Sequence, residues 1–411
     1  MTEKRELGDP EGENQRHSSA DEPFNWEISD CINGFIFARN HHFNRAWIWP
    51  RLQYPNSGAG QSHFLNLEER KMQTKSIALR KPILMGLLTF TLLIPNWAGA
   101  EPDFNKFVVF GTSLSDPGNI FAETHEVNVP PEYNLDGFLI PNAPYAVGGH
   151  HLSNGPTWVE QLARPLGLSR SVQPASRDEN PNAMNYATDS TRAGFQFPGK
   201  PLFADQVGDF LVDVGGVAPS DALYVVEIGS NDVRDALGAF LFVLQTTGDL
   251  VAAQAVAEDI LTAALTQIGI NIDTLHSAGA DQFLYFDSPP IGATPAVMAL
   301  DQALTPLLGP NFVINLANSL ADDFNFGLDG IFATLPGADI TQLDLFSITN
   351  QIIANPADFG LTNVVSACIE PLVPPFKCLN PDEYLFWDGI HPTKATHGII
   401  AEEAATVLGI D

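Results

Sequence analysis

Three runs of β-branched and aromatic residues constrain the fold of this chain more than anything else in it: "FVVF" at 107–110, closed by Gly111; "ALYVVEIG" at 222–229; and "QFLYFD" at 282–287, stopped by Pro289 and Pro290. Short apolar runs bounded by turn residues read as buried strands. Helical spacing fills the stretches around them. It holds over 157–168 as far as Pro165, over the Ala, Leu and Ile pattern of 252–276, over 312–326, and over 395–408 at the end of the chain. A further short strand is expected over 342–348. Strands alternating with helices of this length imply an α/β domain whose parallel sheet carries helices on both faces. No internal repeat competes with that reading, and no glycine-rich phosphate loop of either common kind occurs, so no cofactor is expected.

Open sheets of this kind bind ligands beyond the carboxyl ends of their strands. The first strand runs there into "GTSLSDPGN", 111–119, which sets Ser113 at that edge. A serine hydroxyl is a weak nucleophile near neutral pH and needs a base, itself oriented by an acceptor. Of the ten histidines, His391 has the right context. In "FWDGIHPT", 386–393, Asp388 precedes it by three residues, a spacing from which one turn lets a carboxylate reach the ring nitrogen that faces away from the serine. Pro392 keeps the histidine outside the helix that follows. Acyl transfer also needs donors for the charge that develops on a carbonyl oxygen. The candidates are Asn231, just past the second strand, the backbone N–H of Ser113, and the turn in "NYATDSTRAG", 185–194.

Taken singly, these residues have plainer readings. Ser113 reads as a helix N-cap, Ser115-Asp116 as a turn before Pro117-Gly118, and Asp232 as the cap of the next helix. His125, His150, His151, His276 and His397 read as solvent histidines, with a cleft-lining loop as the alternative for His150 and His151, and Tyr145, Trp158 and Phe386 read as core.

Charge divides the 411 residues in two. Residues 1–100 hold 11 Lys+Arg and 11 Asp+Glu, so the net charge of −29 belongs to residues 101–411, with 9 basic against 38 acidic side chains. That acidity excludes a nucleic-acid partner, whose phosphates demand a basic face. At the boundary, residues 72–100 carry Lys75, Arg80 and Lys81, then an apolar run, then Ala98-Gly99-Ala100, the layout of a secretory signal peptide. A membrane anchor is the alternative, but the 14 residues from Pro82 to Pro95 fall short of the roughly 20 that cross a bilayer. Cleavage near Ala100 leaves a secreted domain over 101–411, periplasmic or extracellular, and makes residues 1–71 a non-native, disordered upstream extension. In an oxidising compartment Cys368 and Cys378 are most simply a disulfide; a metal site would want more ligands nearby, and no metal is expected.

"GTSLSDPGN", "NYATDS", "GSND" and "DGIHP", in this order and with these separations, resemble the four sequence blocks of the SGNH, or GDSL-type, hydrolases, in particular their secreted bacterial lipase and esterase branch. The segments "SNGPTWVEQLARPLGL" and "DSPPIGATP" are similar to that branch's connectors, so the resemblance covers nearly all of 105–408. It implies a flavodoxin-like three-layer α/β/α sandwich. It also implies that Ser113 is nucleophile and one oxyanion donor, that Ser190 and Asn231 are the others, and that His391 is the base with Asp388 as its partner. Two positions depart from the pattern: Thr112 stands where the family usually has Asp, and Ser190 where it has the oxyanion glycine.

The expectation is therefore a serine hydrolase of small-molecule or lipid carboxylic esters working through an acyl-enzyme, with transient contact to a lipid surface. Carbohydrate O-deacetylation uses the same catalytic set and is the rival within the enzyme class. "GAFLFVLQ", 238–245, reads either as a wall for an acyl chain or as a buried helix. A non-catalytic binding protein on the same scaffold is the rival outside that class, suggested by Thr112 and Ser190. Acyl transfer to an alcohol is not separable from hydrolysis by sequence.

Overall fold

The computed structural model describes residues 103–176, 180, 182–194, 200–335 and 337–410; the expected upstream extension and signal peptide lie outside these. Its centre is a parallel sheet of β1 (Lys106–Gly111), β2 (Ala222–Glu227), β3 (Gln282–Phe286) and β4 (Asp339–Leu343), hydrogen-bonded in that order. Every residue of β2 is buried, and every residue of β1 after Lys106. Burial on both faces explains why these strands are continuously apolar instead of alternating.

The helices are α1 (Asn119–Thr124), α2 (Trp158–Ala163), α3 (Phe203–Asp213), α4 (Ser230–Thr247), α5 (Leu250–Ala278), α6 (Pro295–Leu308), α7 (Phe312–Phe332), α8 (Leu345–Ala354) and α9 (Lys394–Leu408). Successive strand residues point to opposite sides of a sheet, and the core divides accordingly. Val108, Phe110, Tyr224, Val226, Phe283 and Tyr285 pack with residues of α3 to α7. Phe107, Val109, Leu223, Val225, Leu284 and Phe286 pack with α2, α9 and the start of α8. These are the two helical layers of the expected α/β/α sandwich.

Outside β1, the segment around Asn185 adds a single parallel bridge: Val109 N–H donates to the Met184 carbonyl and Tyr186 N–H to the Val109 carbonyl, both at 2.8 Å. Counted as a strand, this segment gives the flavodoxin-like order 2-1-3-4-5, with the second strand reduced to one bridge.

The fourth strand is not where the apolar pattern puts it. It ends at Leu343, and the rest of the expected strand turns into α8, because the Asp344 carboxylate accepts the Ser347 N–H at 2.7 Å and caps a helix there. A second parallel pair, β5 (Asn363–Ala367) with β6 (Tyr384–Phe386), stands outside the main sheet and delivers the chain to Asp388.

Candidate active site

β1 and β2 run in register from Lys106↔Ala222 to Gly111↔Glu227, so the turns that follow them emerge side by side. The turn after β1 carries Ser113, which is 9% exposed. Gly111 is required at its base, since a Cβ there would stand 2.9 Å from Ser115 Cβ and 3.2 Å from a Glu227 oxygen. Gln206 of α3 holds the same residue from the other side, accepting the Gly111 N–H and donating to the Gly111 carbonyl, each at 2.9 Å. Asp116 closes the turn by accepting the N–H groups of Gly118, Asn119 and Ile120. Burial pushes its carboxyl up to about 7 against those three donors.

Thr112 does not leave the turn unbraced. Its N–H (3.0 Å) and hydroxyl (2.9 Å) both donate to the carboxylate of Glu227, at the end of β2. The Ser115 hydroxyl donates to the same group at 3.3 Å and accepts the indole N–H of Trp158 at 3.0 Å. Burial pushes Glu227 up to about 7, opposed by these donors and by the charge of His391. Glu227 thus grips the Ser113 turn and also feels His391 electrostatically, while no hydrogen bond links Ser113 to His391, whose Nε2 has no partner among the described residues. Nothing in the sequence marks Glu227 beyond its place as a charge at the end of an apolar strand.

Beside this turn stand the two other expected donors. Asn231 lies in the first turn of α4, which Gly229 opens at φ 125°, where a Cβ would strike the Phe324 ring at 2.3 Å. Its amide donates one hydrogen to the Thr191 carbonyl at 3.0 Å, which leaves the second available. Ser190 adopts φ 60°, the left-handed conformation that a glycine at this position would take without strain. Arg192 stabilises the loop: its guanidinium forms a buried fork with Asp235, at 2.6 and 3.1 Å, and donates to the Ser190 carbonyl. Asp232 is not the helix cap expected of it; its carboxylate reaches across to accept the N–H groups of Ala193 and Gly194. Burial pushes it up to about 6.

Asp388 and His391 form the pair expected of them. One oxygen of Asp388 accepts the N–H groups of Ile390 (2.9 Å) and His391 (2.8 Å), making a tight turn; the other binds His391 Nδ1 at 2.8 Å. Both side chains are buried, and Nε2 of His391 has no hydrogen-bond partner among the described residues. The Tyr145 hydroxyl donates to the ring-binding oxygen of Asp388, also at 2.8 Å. Burial, and then the Asp388 charge, hold that phenol well above the ordinary tyrosine range. Tyr145 reads only as core in the sequence because its partner lies 243 positions away. Behind it, Trp387 packs edge-on, in a cluster with the Cys368–Cys378 disulfide.

Two histidines expected in solvent are buried. His151 binds Glu160 of α2 at 2.8 Å; burial works against its protonation, but Glu160 and the Gly148 carbonyl outweigh it and raise its pKa. His397, on α9, is pushed down to about 3 by burial and by the charges of His151 and His391. The segment 238–245 is helical: it lies in α4, with Phe240 and Leu241 in the core and its other residues half-buried. Among the described residues no group of three or more His, Cys, Asp or Glu side chains is arranged to hold a metal ion.

Against known proteins, residues 107–404 match the family described as GDSL-like Lipase/Acylhydrolase. One GDSL esterase/lipase of Arabidopsis thaliana is 26% identical over 353 residues, covering 78% of this chain and 92% of the relative. Another from the same plant is 27% identical over 365 residues, covering 79% and 93%. A phosphatidylcholine-sterol acyltransferase of Aeromonas hydrophila is 25% identical over 363 residues, covering 79% and 95%. With the match running from the first strand into the last helix, this chain belongs to the GDSL-like lipase/acylhydrolase family and is an enzyme of ester bonds.

Proposed function

We propose that the protein is a secreted serine esterase of the lipase type, with Ser113 as nucleophile, His391 as base, Asp388 as its orienting partner, and the Ser113 N–H, Ser190 N–H and Asn231 amide as oxyanion donors. Ser113 Oγ attacks the acyl carbonyl while its proton passes to His391 Nε2, and the imidazolium is stabilised through Nδ1 by Asp388. The tetrahedral oxyanion collapses, His391 returns the proton to the departing alkoxide, and the acyl group remains on Ser113. Water, deprotonated by the same nitrogen, repeats the sequence and frees the acid. The observation that carries this reading is the state of His391: fixed at Nδ1 by a fully engaged carboxylate, with Nε2 buried and unpartnered among the described residues.

Export is supported by the Cys368–Cys378 disulfide, a bond that persists in oxidising compartments. The four blocks support the secreted bacterial branch of the family. A lipid ester is favoured over an acetylated sugar by a group of exposed apolar residues, Val129, Leu372, Val373 and Leu379, on the segments near the disulfide, where the Leu372 N–H binds the Pro131 carbonyl at 2.7 Å. Such residues suit transient contact with a lipid surface.

A fluorophosphonate probe tests the assignment. The wild-type protein is expected to label and Ser113→Ala not to, while both melt alike; labelling that survives in Ser113→Ala refutes it. A panel of esters of graded acyl length with one acetylated sugar, run with and without an added alcohol, separates lipid from carbohydrate substrates and hydrolysis from acyl transfer.

A further inference from the structure

We infer that Glu227 is the positioning residue of the nucleophile turn: a carboxylate supplied across the sheet from β2 that holds Thr112 and Ser115, and so fixes Ser113 between them. The inference rests on the reading of Ser113 as nucleophile. Three donors converge on this side chain: the Thr112 N–H at 3.0 Å, the Thr112 hydroxyl at 3.0 and 2.9 Å from the two oxygens, and the Ser115 hydroxyl at 3.3 Å. The Ser115 hydroxyl already accepts from Trp158, so its proton is directed to Glu227. An ionised carboxylate accepts only, and this surrounding set of donors matches that form, which the carboxyl, raised by burial, takes up as pH passes about 7. The residue is 4% exposed and lies opposite Gly111 in the ladder, so the turn is tied to a strand that cannot shift without breaking the sheet.

Thr112 and Glu227 thus form one unit in which the single negative charge sits on the β2 side. Two consequences distinguish this from a merely structural role. Glu227→Gln keeps the shape but replaces one acceptor oxygen with a donor facing donors, so the serine loses its fixed position. Thr112→Asp in the same chain then returns a carboxylate to the cluster, where the new amide donates to it. Thr112→Asp alone places two carboxylates against each other.

The experiment measures kcat and KM on a soluble nitrophenyl ester, the rate of fluorophosphonate labelling and the melting temperature, for wild type, Glu227→Gln, Thr112→Asp and the double variant. Displacement of a nucleophile by up to about 1 Å costs on the order of 10- to 100-fold in kcat. Glu227→Gln is expected to lose that much in kcat and labelling rate with KM unchanged, Thr112→Asp to lose at least as much, and the double variant to recover most of it. Wild-type kcat in folded Glu227→Gln overturns the inference, as does a folded double variant no faster than Glu227→Gln. Absence of labelling in the wild-type protein overturns the reading of Ser113 as well, so the two failures are distinguishable.

Discussion

The corner that holds Ser113 and the corner that holds His391 are built on different principles. The serine turn hangs from parallel strands, and its polar contacts end on buried carboxyls: Asp116 and Glu227, both raised to about 7, and Asp232, raised to about 6 beneath the Ser190 loop. The histidine lies on a segment between the short strand β6 and α9, where Asp388 accepts four donors and the support is the Tyr145–Trp387 packing and one disulfide. One side depends on which carboxyls are ionised; the other depends on covalent and aromatic bracing. The difference teaches that two regions of one fold, proposed above to share one site, can be stabilised by terms with different responses to pH and to reductant.

The largest break is expected on the histidine side. Asp388→Asn removes the acceptor that orients the ring, and rates fall by about 10⁴ where such a carboxylate is replaced by its amide; ester turnover of the folded variant measures it. Opening the disulfide comes next. Cys368→Ser with Cys378→Ser releases a closure of ten residues, worth about 3 kcal/mol on a loop-entropy basis, and denaturant unfolding is expected to show that loss. Activity should decline with added reductant in the wild type and not respond to it in the variant.

The serine side sharpens the contrast through pH. Carboxyls raised in the folded state stabilise it fully below their ordinary range, and that contribution is lost as pH rises through about 7 for Asp116 and Glu227. Each adds a slope of up to about 1.4 kcal/mol per pH unit. His397, lowered from 6.5 to about 3, acts in the opposite sense, its contribution being lost as pH falls through that interval. Glu227 interacts electrostatically with His391 and Tyr285, and neutralising it in Glu227→Gln should flatten the decline of melting temperature between pH 4.5 and about 7. An unchanged slope would mean that Glu227 is not among the groups that set it.

Smaller effects follow at the two supporting residues. Tyr145→Phe deletes one hydrogen bond to Asp388, which at about 1 to 2 kcal/mol corresponds to roughly a tenfold loss in kcat. Ser190→Gly relieves a left-handed serine and is expected to raise stability by about 1 kcal/mol with activity retained. Lost activity there would assign the serine hydroxyl, bonded to Asp189 at 3.0 Å, a role that its backbone N–H does not cover.

Features written in neighbouring residues are legible in the sequence. The buried strands show as apolar runs, the Asp388–His391 pair as a three-residue spacing, and the disulfide as two cysteines ten apart. Features that join distant residues are not. Glu227 looks like a strand end, Tyr145 like core, Asp232 like a cap, and His151 and His397 like surface, because their partners or coverings come from segments far along the chain. The fourth strand is misplaced by its pattern for a local reason: β4 is only partly buried before Leu343, so its apolar signal is weaker than that of the helix beginning after Asp344.

By itself, then, the sequence determined the α/β order, the edge where Ser113 would emerge and the residue types able to carry acyl transfer, since periodicity, turn residues and short spacings are properties of adjacent side chains. The tertiary structure alone decided which buried charge faces which donor: that Glu227 and not residue 112 carries the carboxylate at the serine turn, and that a distant tyrosine completes the shell of Asp388. Partners of that kind meet only when separate strands and loops pack together, and their ionisation is set by the water that packing removes.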